Sequence, residues 1–180
     1  MLVVAATERE LDFVDGFETL CCGIGPVEAA LATARRLADH TPTAVLHIGI
    51  AGAKTIEPPA LVLGSESIYC DVIDPASVLP RVERVGPDAA LLVAARSALP
   101  EAHVLPIATS ARVGGGTSCE VEAMEGFGVL RAAALAGVPA VELRAVSNVV
   151  DEPDRRRWRI DDALALLRDS VPRLLEILDA

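Results

Sequence analysis

Aromatic side chains are scarce in this 180-residue chain, at 3% of the sequence. Its core must therefore be built from Ala, Val and Leu, and a hydrophobic content of 52% is enough for a substantial one. No apolar run approaches the roughly 20 residues of a membrane span, and the start, MLVVAATERE, meets acid and base too early for a signal peptide. A cytoplasmic chain with no membrane partner is expected. Cysteine is sparse as well. Cys21, Cys22, Cys70 and Cys119 form no C-x-x-C pair and have no His at ligand spacing, so no metal site or disulfide framework is indicated and reduced, mostly core thiols are expected. Positive charge is also short. Sixteen basic against 26 acidic residues leave a net charge of -10, which argues against nucleic acid as the main partner and favours a small molecule.

The length fits one domain, 1–180, without repeat or linker. Apolar runs alternate with helical patterns along it. Leu2 to Ala6, Glu18 to Cys22, Ala44 to Ala53, His103 to Ser110 and Pro139 to Val146 read as strands, and Ala60 to Tyr69 as a strand pairing beside the third of these. Helices are predicted from Pro26, over Pro87 to Leu99, over Val121 to Leu135 and over Ile160 to Leu178. Strands separated by helices imply parallel pairing through right-handed crossovers, hence a three-layer α/β/α sandwich. Ligands of such sheets collect at the carboxyl ends of strands, where Gly23-Ile24-Gly25, Gly49 to Gly52, the Thr109 to Gly116 stretch and Ser147-Asn148 all fall. Gly23-Ile24-Gly25 reads either as a tight strand-to-helix turn or as a cradle for an anion. It lacks the third glycine of a dinucleotide fingerprint.

Five segments in order, AATERE, CGIGPVEAA, HIGIAGA, VEAMEG and LRAVSN, resemble the purine nucleoside phosphorylase and nucleosidase superfamily, which includes methylthioadenosine/adenosylhomocysteine nucleosidases. The sub-pattern E-x-M-E-G, followed by ELRAVSNVV and RRRWRIDDALALL, looks most like futalosine hydrolase, an enzyme of an alternative menaquinone pathway. The resemblance implies a phosphorylase/hydrolase-like fold, a purine nucleoside as ligand, no cofactor, and a homo-oligomer, with a dimer favoured. Cleaving a purine N-glycosidic bond builds positive charge on the ribose and negative charge on the leaving base. A site needs a carboxylate near the sugar, a donor at base N7 and an activated nucleophile. The resemblance assigns water activation to Glu10, with Glu8 as the alternative holder of that place. It assigns ribose binding to Met124 and Glu125 and the base to Asn148 after Ser147. Gly52 and Val113 are the further candidates for substrate contact. Trp158 either stacks on a base or packs against the last helix.

Three departures from the family pattern shape this reading. His47 and Ile50 stand where hexameric phosphorylases carry an Arg and a Ser that contact phosphate, and an apolar Ile50 cannot donate to a dianion. Water becomes the expected nucleophile. Asn148 stands where adenine-specific nucleosidases carry Asp; an amide donates at any pH and also offers a carbonyl, which suits a 6-oxopurine. The segment from Thr109 to Glu122 is short for the family, which implies a pocket that is more open or is completed by a partner subunit. Behind the hydrolase stand a methylthioadenosine-type nucleosidase, a phosphorylase, and a silent nucleoside-binding protein.

Overall fold

The computed structural model describes residues 1–74, 76, 78, 80–114 and 116–179. Its elements in chain order are β1 (Leu2–Ala5), β2 (Glu18–Cys21), α1 (Pro26–Asp39), β3 (Val45–Ala53), β4 (Leu61–Tyr69) and β5 (Arg84–Val85), then α2 (Ala89–Ala98), β6 (His103–Thr109), β7 (Val121–Ala123), α3 (Gly126–Ala136), β8 (Ala140–Val149) and α4 (Ile160–Leu178). The period-2 alternation of β1 sorts the helices into two layers. Leu2 and Val4 pack with Ala29 and Leu37 of α1 and with Val129 and Leu130 of α3. Val3 and Ala5 face the other way, onto Ala95 of α2 and Leu167 and Leu174 of α4. This is the α/β/α layering expected from the sequence. Among the described residues the buried core holds no Phe, Tyr or Trp.

The strand pairing is mixed. β1 lies parallel to β2 and β3, and β3 runs parallel to β8 along its whole length. β8 then pairs antiparallel with β4, β4 parallel with β6, β6 parallel with β7, and β7 antiparallel with β3. Five strands thus close on themselves, and β4 lies beside β8 rather than beside β3. Closure removes two exposed sheet edges, each a row of unpaired backbone groups. It also explains why the segment from Val121 does not begin as a helix. Its apolar, Ala-rich composition suits a helix, but Val121–Ala123 supplies the strand that joins β3 to β6, and tertiary pairing outweighs local propensity. The helix starts at Gly126, with Glu125 at its N-cap.

Of the four thiols only Cys22 is buried; Cys21 is exposed and Cys70 and Cys119 are half-buried, so the expectation of mostly core cysteines holds for one of them. Among the described residues no helix is long and apolar enough to cross a membrane.

Candidate active site

A cavity of about 450 Å³ opens at the carboxyl ends of β1, β3 and β8. Glu10, Gly52, Met124 and Glu125 line it, together with Val113, Ser147 and Asn148, so the chain brings all seven sequence candidates to one place. Glu8 is exposed and outside the lining, which leaves Glu10 as the acid of that turn. The short segment after Thr109 does wall the cavity, through Arg112, Val113 and Gly114.

The two carboxylates are held in different ways. Glu10 closes a single helical turn, Glu8–Glu10, that follows β1. Its Oε2 accepts from the Thr7 backbone N–H (3.0 Å) and the Thr7 hydroxyl (2.8 Å), and its Oε1 accepts from the Ile50 N–H (3.0 Å). Three donors fix its orientation. Glu125 lines the same cavity, and its Oε1 accepts from the Gly25 N–H (3.1 Å). Of the Gly23-Ile24-Gly25 turn, which leads from β2 into α1, the Gly25 amide thus reaches a carboxyl group of the protein itself. Burial pushes the Glu125 carboxyl above the ordinary glutamate value, with Arg144 and the Gly25 amide pulling it back.

Beneath these acids lies a network that sequence reasoning passed over. Arg144 is buried, with Nε donating to Glu142 Oε1 (2.8 Å) and Nη1 3.6 Å from Glu125 Oε2. Its Nη2 meets His47 Nε2. A guanidinium can only donate, so Nε2 accepts, and the imidazole proton lies on Nδ1, 2.9 Å from the Val4 carbonyl. Burial, then the Arg144 charge, hold His47 well below its ordinary pKa, so it is neutral. For Arg144 itself burial opposes the charge, but Glu142 and Glu125 outweigh it and its pKa is raised. Ser67 Oγ donates to the second oxygen of Glu142. Gly49 makes room for this network, since a Cβ there would collide with Arg144 Nη1 and crowd Glu10 Oε1.

At the other end of the site the register of β3 against β8 shifts between Ala51 and Gly52, which brings Gly52 opposite Asn148. A Cβ on Gly52 would come within 3.1 Å of the Asn148 amide nitrogen. Ser147 Oγ donates to Asn148 Oδ1 (2.8 Å), with the Ala51 carbonyl as its alternative acceptor at 3.2 Å, and Asn148 Nδ2 donates to the Val149 carbonyl (3.0 Å). Nδ2 keeps a second N–H. Trp158 lines the cavity beside Ile160 and Leu164 of the last helix, and its indole N–H donates to the Glu152 carbonyl (3.0 Å). Arg9, Arg112 and Arg155 stand on the cavity wall. Arg9 pairs with Asp161, whereas Arg112 and Arg155 have no carboxylate partner among the described residues. No cluster of three or more His, Cys, Asp or Glu able to hold a metal occurs among the described residues.

The sequence profile of the phosphorylase superfamily matches residues 19–180. The chain belongs to this superfamily. Futalosine hydrolase of Streptomyces coelicolor is 36% identical to it, over 92% of this chain and 81% of that protein. Futalosine hydrolase of Thermus thermophilus is 30% identical over 89% and 81%. Among solved structures, the 5'-methylthioadenosine/S-adenosylhomocysteine nucleosidase of Neisseria meningitidis in complex with methylthio-immucillin-A superposes with a TM-score of 0.85 at 21% identity, covering 97% of both chains. A futalosine hydrolase mutant of Helicobacter pylori superposes at 0.86 with 16% identity and the same coverage. At these identities the superpositions establish the superfamily's phosphorylase/hydrolase-like fold.

Proposed function

We propose that this chain is a purine nucleosidase of the futalosine hydrolase type, cleaving the N-glycosidic bond of a 6-oxopurine nucleoside with water. The observation that carries the reading is the pair of buried carboxylates, Glu10 and Glu125, in one cavity with the Asn148 amide, on a chain 36% identical to a futalosine hydrolase. In this reading Glu10 takes a proton from water as its oxygen bonds to C1' of the ribose. The C1'–N9 bond breaks, its electron pair stays on the purine, and Asn148 donates to N7. Glu125 accepts from the ribose hydroxyls while Met124 packs on the sugar.

Water is favoured over phosphate because His47 is fully buried and spends both ring nitrogens inside the fold, while Ile50 presents an apolar chain to the cavity. A dianion set against these two residues would find no charge-assisted donor on either side chain. Arg112 and Arg155, on the wall without acid partners among the described residues, favour an anionic 5' substituent over a neutral one. The exposed stripe of Ile24, Val27 and Leu31, which starts at the cavity, supports a homo-oligomer, with a dimer favoured, and sedimentation would test it. The deciding assay is base release from a panel of purine nucleosides with and without phosphate. Free base in the absence of phosphate is expected. Strict phosphate dependence would make the protein a phosphorylase, and binding without turnover would make it a silent nucleoside-binding protein.

Two substitutions test the roles. Glu125→Ala should weaken every ribosyl ligand by about 1.5 to 3 kcal/mol for each hydrogen bond lost, with little effect on free purine bases. Equal losses for both in calorimetry would remove Glu125 from the ribose. Asn148→Asp should move preference from 6-oxopurine toward 6-aminopurine nucleosides, since leaving a buried polar group unpaired costs about 1 to 3 kcal/mol, roughly 5- to 150-fold in relative kcat/KM. A ratio unmoved by the swap would take Asn148 out of base recognition and put a methylthioadenosine-type nucleosidase first.

A further inference from the structure

The three arginines on the cavity wall are engaged differently. Arg9 is paired with Asp161, and the Arg155 guanidinium lies 5.4 Å from the centre of the Trp158 ring. Arg112 has no carboxylate partner among the described residues and stays exposed on a turn outside every strand and helix. A long, unpaired side chain is only as well placed as the backbone that carries it, because ordering it costs rotamer entropy. That backbone is fastened by two residues that do not line the cavity, Asp71 and Ser110.

The fastening continues the sheet. β4 and β6 end in register at Tyr69 and Thr109, and the next backbone bond runs from the Cys70 N–H to the Thr109 carbonyl (3.0 Å). Asp71 therefore stands beside the start of the turn. Its Oδ1 accepts from the buried Ser110 hydroxyl (2.8 Å) and its Oδ2 from the Ala111 N–H (2.7 Å). A hydroxyl has one proton, and with Asp71 taking it the lone pairs of Ser110 Oγ are left to accept from the Arg112 N–H (3.1 Å). Three successive residues of the turn are thus tied to one carboxylate, directly or through one oxygen. We propose that Asp71 is a positioning residue that, through Ser110, aims Arg112 at the anionic 5' group of the substrate. This rests on the nucleosidase reading above and its anionic 5' substituent.

The test compares two substrates that differ by one charge, 5'-O-succinylinosine and its methyl ester, as a ratio of kcat/KM for base release by the full-length protein. The wild type should prefer the anion by about 10-fold, the scale of a hydrogen bond to a charged group. Asp71→Ala should cut that preference by roughly 5-fold, through KM rather than kcat. The sign separates positioning from charge. Removing a negative charge near the cavity favours an anion on Coulomb grounds alone, so a purely electrostatic role would raise the preference that a positioning role lowers. Ser110→Ala changes no charge, removes both bonds of the relay and should give the same fall. In an Arg112→Gln background Asp71→Ala should change the ratio no further. Thr55→Val loosens the far end of the same wall, where Glu120 accepts from the Thr55 hydroxyl (2.9 Å), and should leave the ratio in place. A preference unchanged or raised in Asp71→Ala, a further fall in the Arg112→Gln background, or the same fall in Thr55→Val would overturn the proposal. Should Asp71→Ala fail to fold, Ser110→Ala decides alone, and an unchanged ratio overturns it. A wild type that cleaves inosine yet ignores the added charge overturns the roles of Asp71 and Arg112 and leaves the nucleosidase reading standing. One that cleaves no purine nucleoside overturns both.

Discussion

Glu10→Gln should lower turnover by on the order of 10²-fold or more, since a positioned general base contributes roughly 10² to 10⁴. The amide keeps the size and one carbonyl of the carboxylate but cannot take a proton from water. It also has one acceptor oxygen where the native group uses both, for the Thr7 N–H and hydroxyl on one side and the Ile50 N–H on the other. One of those donors will be left facing an N–H, at a cost of about 1 to 3 kcal/mol in stability. The kinetic comparison therefore belongs well below the melting temperature of the variant, with nucleoside affinity measured alongside. A large fall in kcat with affinity within a few-fold of wild type is the expected result. A folded variant with native turnover would mean that the carboxylate only closes the turn at Glu8–Glu10, and the proton acceptor would have to be sought elsewhere in the cavity.

The layering was legible in the sequence because it depends on periodicity: Leu2-Val3-Val4-Ala5 is apolar on both faces, and such a strand needs a helix layer on each side. Strand order was not. The sequence placed Ala60 to Tyr69 beside β3, whereas β8 lies between them, and the choice between these neighbours depends on contacts far apart in the chain. Nothing local in Val121-Glu122-Ala123 separates a short joining strand from the first turn of the helix that follows. The candidate residues came together because they lie at strand ends, which a sequence can locate. The buried network was missed because Pro139 to Val146 was read only for its apolar residues. Glu142 and Arg144 stand two apart in that strand, so they share a face, and opposite charges at that spacing inside an otherwise apolar run were the available signal of an internal ion pair. His47, with apolar residues on either side in β3, reads as a core residue, and only the fold shows that its ring orients Arg144.

That network sets the second large effect. Arg144→Met should destabilise the protein by about 3 to 5 kcal/mol, as expected for removing one partner of a buried ion pair, and lower the melting temperature by on the order of 10 °C. The loss leaves Glu142 and Glu125 buried without their cation and His47 Nε2 without its donor. The deficit should depend on pH with a definite sign. Arg144 is the strongest influence holding the Glu125 carboxyl down against burial, so without it that pKa moves further above the ordinary 4.5. A carboxyl whose folded pKa is raised stabilises the fold below its unfolded value and loses that contribution as pH climbs through the folded one. The variant should therefore be closest to wild type near pH 4.5 and fall further behind as pH rises toward neutrality. Ribosyl ligands should show the reverse trend in the variant, binding more tightly as pH rises and Glu125 ionises. Adding Glu142→Leu to Arg144→Met replaces most of the ion pair by apolar volume and should recover much of the stability, because such exchanges are often neutral. It should not recover ribose binding, since Glu125 still lacks the charge that keeps it ionised. A double variant as stable as wild type with native nucleoside affinity would confine Arg144 to holding the strands together and leave the Gly25 amide to hold Glu125 for the sugar.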